Sequence, residues 1–143
     1  MADACCLTGA LCYTLGMKLR LLFIAAFIPA VFSCTSGQVV VTEDTSPSKI
    51  IQKAQEAMDG NKYKTAVQYY EILLERYGSV NEYYCTGEYE IAFIRYKQKK
   101  YSEARWRLEN LLVLYSAEGG ESLPPQFKIL AEKVLARMDE KGY

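Results

Sequence analysis

An all-α fold, built of helical hairpins stacked in a short array, follows from three observations on this sequence. Apolar residues recur at helical rather than alternating spacing: Ile91, Ala92, Ile94 and Tyr96 in one stretch, Ala104, Leu108, Leu111, Leu112 and Tyr115 in the next. The polar link between them, KQKKYSE, is short enough to be a tight turn, so the two helices fold back antiparallel. The same layout occurs earlier in KAQEAMDGNKYKTAVQYYEILLERYG. There Ala54, Tyr63, Ala66, Tyr70 and Tyr77 superpose on Ala92, Tyr101, Ala104, Leu108 and Tyr115 at a constant shift of 38 residues.

The composition supports one modest globular domain: 143 residues, 50% hydrophobic and 24% charged. Lys plus Arg and Asp plus Glu both number 17, so no overall field exists to gather nucleic acid, and no nucleic-acid partner is expected. Histidine is absent, which removes the commonest general base and the commonest metal ligand together. Glu118 and Glu121 lie in a loop with no base or nucleophile beside them, and no phosphate-cradling glycine loop is present. The expectation is therefore no enzyme, no cofactor and no metal. The five cysteines form no disulfide framework, and Cys85 among Tyr83, Tyr84 and Thr86 reads as a small packing residue.

In chain order, residues 1–16 carry Asp3 and no basic residue, the wrong polarity for the start of a secretory signal, so Met17 reads as the initiator and 1–16 as an untranslated or non-native extension. Residues 17–33 have the signal pattern: Lys18 and Arg20, then the apolar run Leu21 to Phe32. That run is about twelve residues where a spanning helix needs roughly twenty. Cleavage before Cys34 is expected. Residues 34–48 are rich in Ser and Thr without helical periodicity and read as a flexible tether, Val39 to Val41 having no strand to pair with.

Residues 49–143 form the helical domain. Ser48 is the expected N-cap of a first helix whose stripe is Ile50, Ile51, Ala54, Ala57 and Met58, ended by Asp59-Gly60-Asn61. The second helix runs from about Lys64 to Tyr77, with Gly78 as its stop; the third covers roughly Glu82 to Gln98, and the fourth Ser102 to Tyr115. Gly119-Gly120 breaks the pattern, and Pro124-Pro125 opens a fifth helix with Phe127, Leu130, Ala131, Val134, Leu135 and Met138 on one stripe. On the fourth helix the spacing of Glu103 and Arg107, four apart, allows a surface pair, which would contribute about 0–1 kcal/mol and carries no functional meaning.

Alanines at fixed offsets from large rings let paired helices approach closely while the rings fill the gaps. This pattern resembles the tetratricopeptide repeat, whose unit is 34 residues; a few extra residues between Gly78 and Gly87 accommodate the longer shift here. Ala131 lies 39 beyond Ala92, so the fifth helix resembles the first half of a third repeat and serves as a cap. The array thus has about two tetratricopeptide-type repeats plus a capping helix.

At the other end, Val31-Phe32-Ser33-Cys34 resembles the lipobox of bacterial lipoproteins, which implies lipidation of Cys34. Thr35, rather than aspartate, after that cysteine implies the periplasmic face of the outer membrane. A lipidated cysteine, a short tether and this repeat together resemble the N-terminal half of the BamD family of outer-membrane assembly lipoproteins, over about Ile50 to Lys141. The resemblance implies a lipid-anchored scaffold whose partners are unfolded outer-membrane proteins or barrel-assembly components. The alternative is a structural interaction lipoprotein of another envelope complex, in cell division, pilus or cell-wall machinery.

In arrays of this class the first helix of each pair lines the binding face. On the third helix Tyr89, Phe93 and Tyr96, spaced by four and three, share a stripe that ends at Lys97. Such an aromatic column beside a cation suits an extended or terminal peptide with an aromatic side chain and a free carboxylate. The competing reading, which the abundance of tyrosine favours, is that the same rings bury against the first or fifth helix.

Overall fold

The computed structural model describes residues 39–143; the expectations for 1–16, for the signal 17–33 and for lipidation of Cys34 lie outside the described residues. Five α-helices make up the regular structure there: α1 (Pro47–Asp59), α2 (Tyr63–Tyr77), α3 (Asn81–Lys97), α4 (Tyr101–Ser116) and α5 (Pro125–Glu140), with a single 3₁₀ turn at Gly120–Ser122 before α5. The fold is all-α, a short helical array. Each helix packs against the next in sequence, and α3 also touches α5. None of the described helices is long and apolar enough to cross a membrane.

The helix starts follow from proline chemistry more than from capping side chains. Pro47 occupies the first helical position of α1, and the extended Ser46 before it (ψ 151°) is the N-cap, two residues ahead of the expected Ser48. Proline fixes its own φ at a helical value and pushes the residue before it out of the helical region, so the helix begins at the proline. Pro125 opens α5 in the same way.

The two hairpins repeat each other in backbone detail. α1 ends at Asp59 and α3 at Lys97, and α2 and α4 begin at Tyr63 and Tyr101, each pair 38 apart. In the first turn Asn61 N–H donates to Met58 O (2.9 Å) and Lys62 N–H to Ala57 O (2.8 Å). In the second, Lys99 N–H donates to Tyr96 O (3.0 Å) and Lys100 N–H to Arg95 O (2.9 Å). The residues that stretch the shift beyond 34 are taken up at the front of α3, which has 17 residues where α1 has 13. Asn81 Nδ2 fastens this added turn to Ser122 Oγ at 3.3 Å.

Two apolar clusters form the core, and α3 is the wall between them. Ile91 and Ile94 enter a first cluster with Ile50, Ala54 and Ala57 of α1 and Ala66, Val67, Tyr70 and Leu73 of α2. Cys85, Tyr89 and Ala92 enter a second with Ala104, Leu108 and Leu111 of α4 and Ala131, Val134 and Met138 of α5. The alanines read as close-approach positions, Ala54, Ala66, Ala92 and Ala104, are all fully buried, and so is Ala131 of α5. Gly87 permits the α2–α3 contact, since a Cβ there would stand 2.6 Å from Leu74 Cγ.

The expected tether is partly fastened down. Arg76 of α2 donates from its two terminal nitrogens to Thr42 O (2.8 Å) and Val41 O (3.0 Å), and the Tyr77 hydroxyl donates to Thr45 O (3.0 Å). Val41 packs on the first cluster. Within 39–48 the flexible segment expected from composition is thus a docked strap, because α2 supplies donors to carbonyls that would otherwise face water. At the other end Arg105 of α4 donates to Tyr143 O (2.7 Å), and Tyr143 stacks on Tyr101 with centroids 3.8 Å apart.

Candidate binding stripe on the third helix

Three of the four sides of α3 are occupied. Ile91 and Ile94 face the first cluster, and Tyr89 and Ala92 the second. Glu88 and Arg95 reach α4: Arg107 donates to Glu88 Oε2 at 2.7 Å, and Arg95 Nε lies 2.7 Å from Glu103 Oε1. The latter is a contact of opposite charges rather than an aligned hydrogen bond, as Arg95 Nε makes none. Glu103 and Arg107 therefore do not pair with each other as their spacing suggests. Each finds a less exposed partner across the helix interface, where a charge pair is screened less.

The remaining side carries Thr86, Glu90, Phe93 and Lys97, at helical spacings of four, three and four. It lies opposite Glu88 and Arg95, and so points away from α4. Thr86, Glu90 and Phe93 are half-buried and Lys97 is exposed. The Lys97 ammonium stands 5.4 Å from the Phe93 ring centroid, within the range of a cation–π contact. No acidic partner pairs with Lys97 among the described residues.

The four residues expected from sequence therefore divide. Tyr89 is only 7% exposed and packs between Phe93 (6.0 Å between centroids) and Phe127 of α5 (5.8 Å). Burial, with Glu90 alongside, pushes its phenol up to about 12, while Arg137 of α5 pulls the other way. Tyr89 is a core residue that backs the stripe. Phe93 bridges, stacking on Tyr96 at 6.3 Å, and Tyr96 continues to Tyr101 at 5.9 Å. Phe93 and Lys97 present the column's accessible edge, and Tyr96 supports it from the second cluster.

Glu90 is a member of this side that spacing alone did not single out. Burial raises its carboxyl above the usual carboxylate range, and no salt bridge or hydrogen bond to it occurs among the described residues. Beneath it in the first cluster the Tyr70 hydroxyl is buried without a partner, and its phenol is raised by burial and then by the Glu90 charge. An α3 side with one unpaired acid, one unpaired cation and a ring between them offers complementary contacts to a peptide backbone and its end groups.

Cys85 is buried beside α4, its thiol raised by burial and lowered in part by the nearby Tyr115 hydroxyl, 3.7 Å away. It fills space, as its neighbours suggested. Among the described residues no group of three or more His, Cys, Asp or Glu side chains could hold a metal ion. The outer face of α4, which periodicity did not flag, exposes Trp106 (62%) and Val113 (63%), seven residues apart.

Against known proteins, the chain resembles an uncharacterized protein of Treponema pallidum (strain Nichols), at 33% identity over 98 residues. The match covers 68% of this chain and 39% of that protein. The chain thus spans about two-fifths of that relative's length. No family model matches the sequence, and no solved structure matches it.

Proposed function

We propose that this protein is a lipid-anchored scaffold of the bacterial envelope, held at the periplasmic face of the outer membrane through Cys34, that binds peptide segments or partner subunits during outer-membrane barrel assembly. The observation that carries the binding half is the uncovered side of α3, where Phe93 and Lys97 stand together between two filled cores. Helical arrays hold extended segments on such a side because the scaffold is rigid and little ordering entropy is lost. The address half rests on the lipobox-like Val31-Phe32-Ser33-Cys34, the barrel-assembly half on the likeness to the BamD family.

A second reading, an interaction protein of another envelope complex, is favoured by the exposed Trp106 and Val113 on α4 and Ile129 on α5, apolar groups suited to a partner's surface. A photo-crosslinking residue placed at Phe93, and in a parallel strain at Trp106, separates the two in living cells. Capture of barrel-assembly components or nascent barrel proteins from Phe93 supports the first reading. Capture of cell-division, pilus or cell-wall components from Trp106, with none from Phe93, replaces it by the second.

A further inference from the structure

The strap on α2 leaves the array on a definite side. Val39 lines an open cleft of about 230 Å³ together with Gln68, Glu71, Ile72 and Glu75. These four lie on the side of α2 opposite Ala66, Tyr70 and Leu73, which fill the first cluster. From the start of α1 the chain therefore runs back over Arg76 and Tyr77 and ends on the outer back of α2. That back and the uncovered side of α3 face different sides of the array.

Distance makes this matter. Were the segment loose up to Ser46, about 40 Å of extended chain would separate it from Cys34, enough for the array to turn any side to a surface. With the strap held at Val41 by Arg76, the remaining link from Cys34 spans at most about 25 Å. We propose that the strap sets which side of the array meets the membrane: with acyl chains on Cys34, the back of α2 faces the lipid surface and the uncovered side of α3 faces away from it. Glu71 and Glu75 are exposed on that back, so it stands off an anionic headgroup layer rather than inserting into it. The orientation comes from the short link and leaves Phe93 and Lys97 open to partners. This inference rests on the lipidation of Cys34 in the proposed function.

The test uses the full-length lipidated protein in phosphatidylcholine vesicles carrying nitroxide-headgroup lipids, with Cys85→Ala as background and one fluorophore on Glu71→Cys or on Lys97→Cys. Vesicle flotation comes first, since a protein that does not float overturns the lipidation reading and this inference with it. In floated protein the label at position 71 is expected to be quenched about threefold or more over that at 97, and Arg76→Ala with Tyr77→Phe to erase the contrast. Equal quenching with the strap intact, or a contrast that survives its release, overturns the orientation while leaving lipidation standing.

Discussion

Asn61 and Lys99, 38 residues apart, share a left-handed backbone conformation, φ 55° and φ 62°, and no other non-glycine residue among those described has a positive φ. They are the turning points of the two hairpins, and the residues that follow, Lys62 and Lys100, agree within a few degrees (φ −85° and −87°). A side chain in this region costs about 1 kcal/mol, and asparagine tolerates it better than lysine. Lys99→Gly is thus expected to raise stability by about 0.5–1 kcal/mol and Asn61→Gly by less than half as much. Urea midpoints at unchanged m-value measure both.

Gly87 is required by the Leu74 side chain above it. Gly87→Ala gains about 1 kcal/mol of helix propensity, but its methyl overlaps Leu74 Cγ and Cδ2 at 2.6 Å. The net expectation is a loss of about 1–2 kcal/mol as α3 is pushed off α2. Adding Leu74→Ala should make the alanine at 87 markedly less costly than it is alone, which a double-mutant cycle reads directly.

The pairs between α3 and α4 differ in shelter. Glu88 and Arg107 have side chains 21% and 22% exposed, whereas Glu103, the partner of Arg95, is 41% exposed. A cycle on Glu88→Gln and Arg107→Gln should give a coupling of about 1–2 kcal/mol, and one on Arg95→Gln and Glu103→Gln about 0.5 kcal/mol. Added salt should reduce the second proportionally more.

Glu90 gives the fold a pH dependence of known sign. Its carboxyl is raised above 4.5 by burial, so the folded state holds its proton more tightly than the unfolded chain. The stability this contributes is fully present below pH 4.5 and is lost as pH rises through the folded value. Glu90→Gln should therefore raise Tm at pH 7, with the gain shrinking toward pH 4. A gain independent of pH would mean the carboxylate carries no burial penalty.

The repeat was legible because both hairpins use the same residue types where geometry allows few: alanine at Ala54, Ala66, Ala92 and Ala104, and tyrosine at Tyr63 and Tyr101, which open α2 and α4. The helix ends followed for the same reason, within one or two residues. The strap was not legible, since Arg76 binds backbone carbonyls and every residue has one. The place of Tyr89 was left open because periodicity puts residues on a stripe without saying which neighbour covers it. That depends on where the turn after α4 delivers α5 and its Phe127. Glu103 and Arg107 misled for a related reason, as i,i+4 spacing reports proximity within one helix and not the competing partners on the next.

The proposed function requires the uncovered side of α3 to be a binding surface rather than a solvated flank. A fluorescent peptide ending in phenylalanine with a free carboxylate, titrated by anisotropy against the wild type, Phe93→Ser and Lys97→Ala, tests this most directly, with the C-terminal amide of the same peptide as control. The wild type is expected to bind the acid more tightly than the amide, Lys97→Ala to remove this preference at an unchanged Tm, and Phe93→Ser to weaken both by roughly tenfold or about 1.4 kcal/mol. Equal binding of acid and amide by the wild type, or binding unmoved by either substitution, would contradict it.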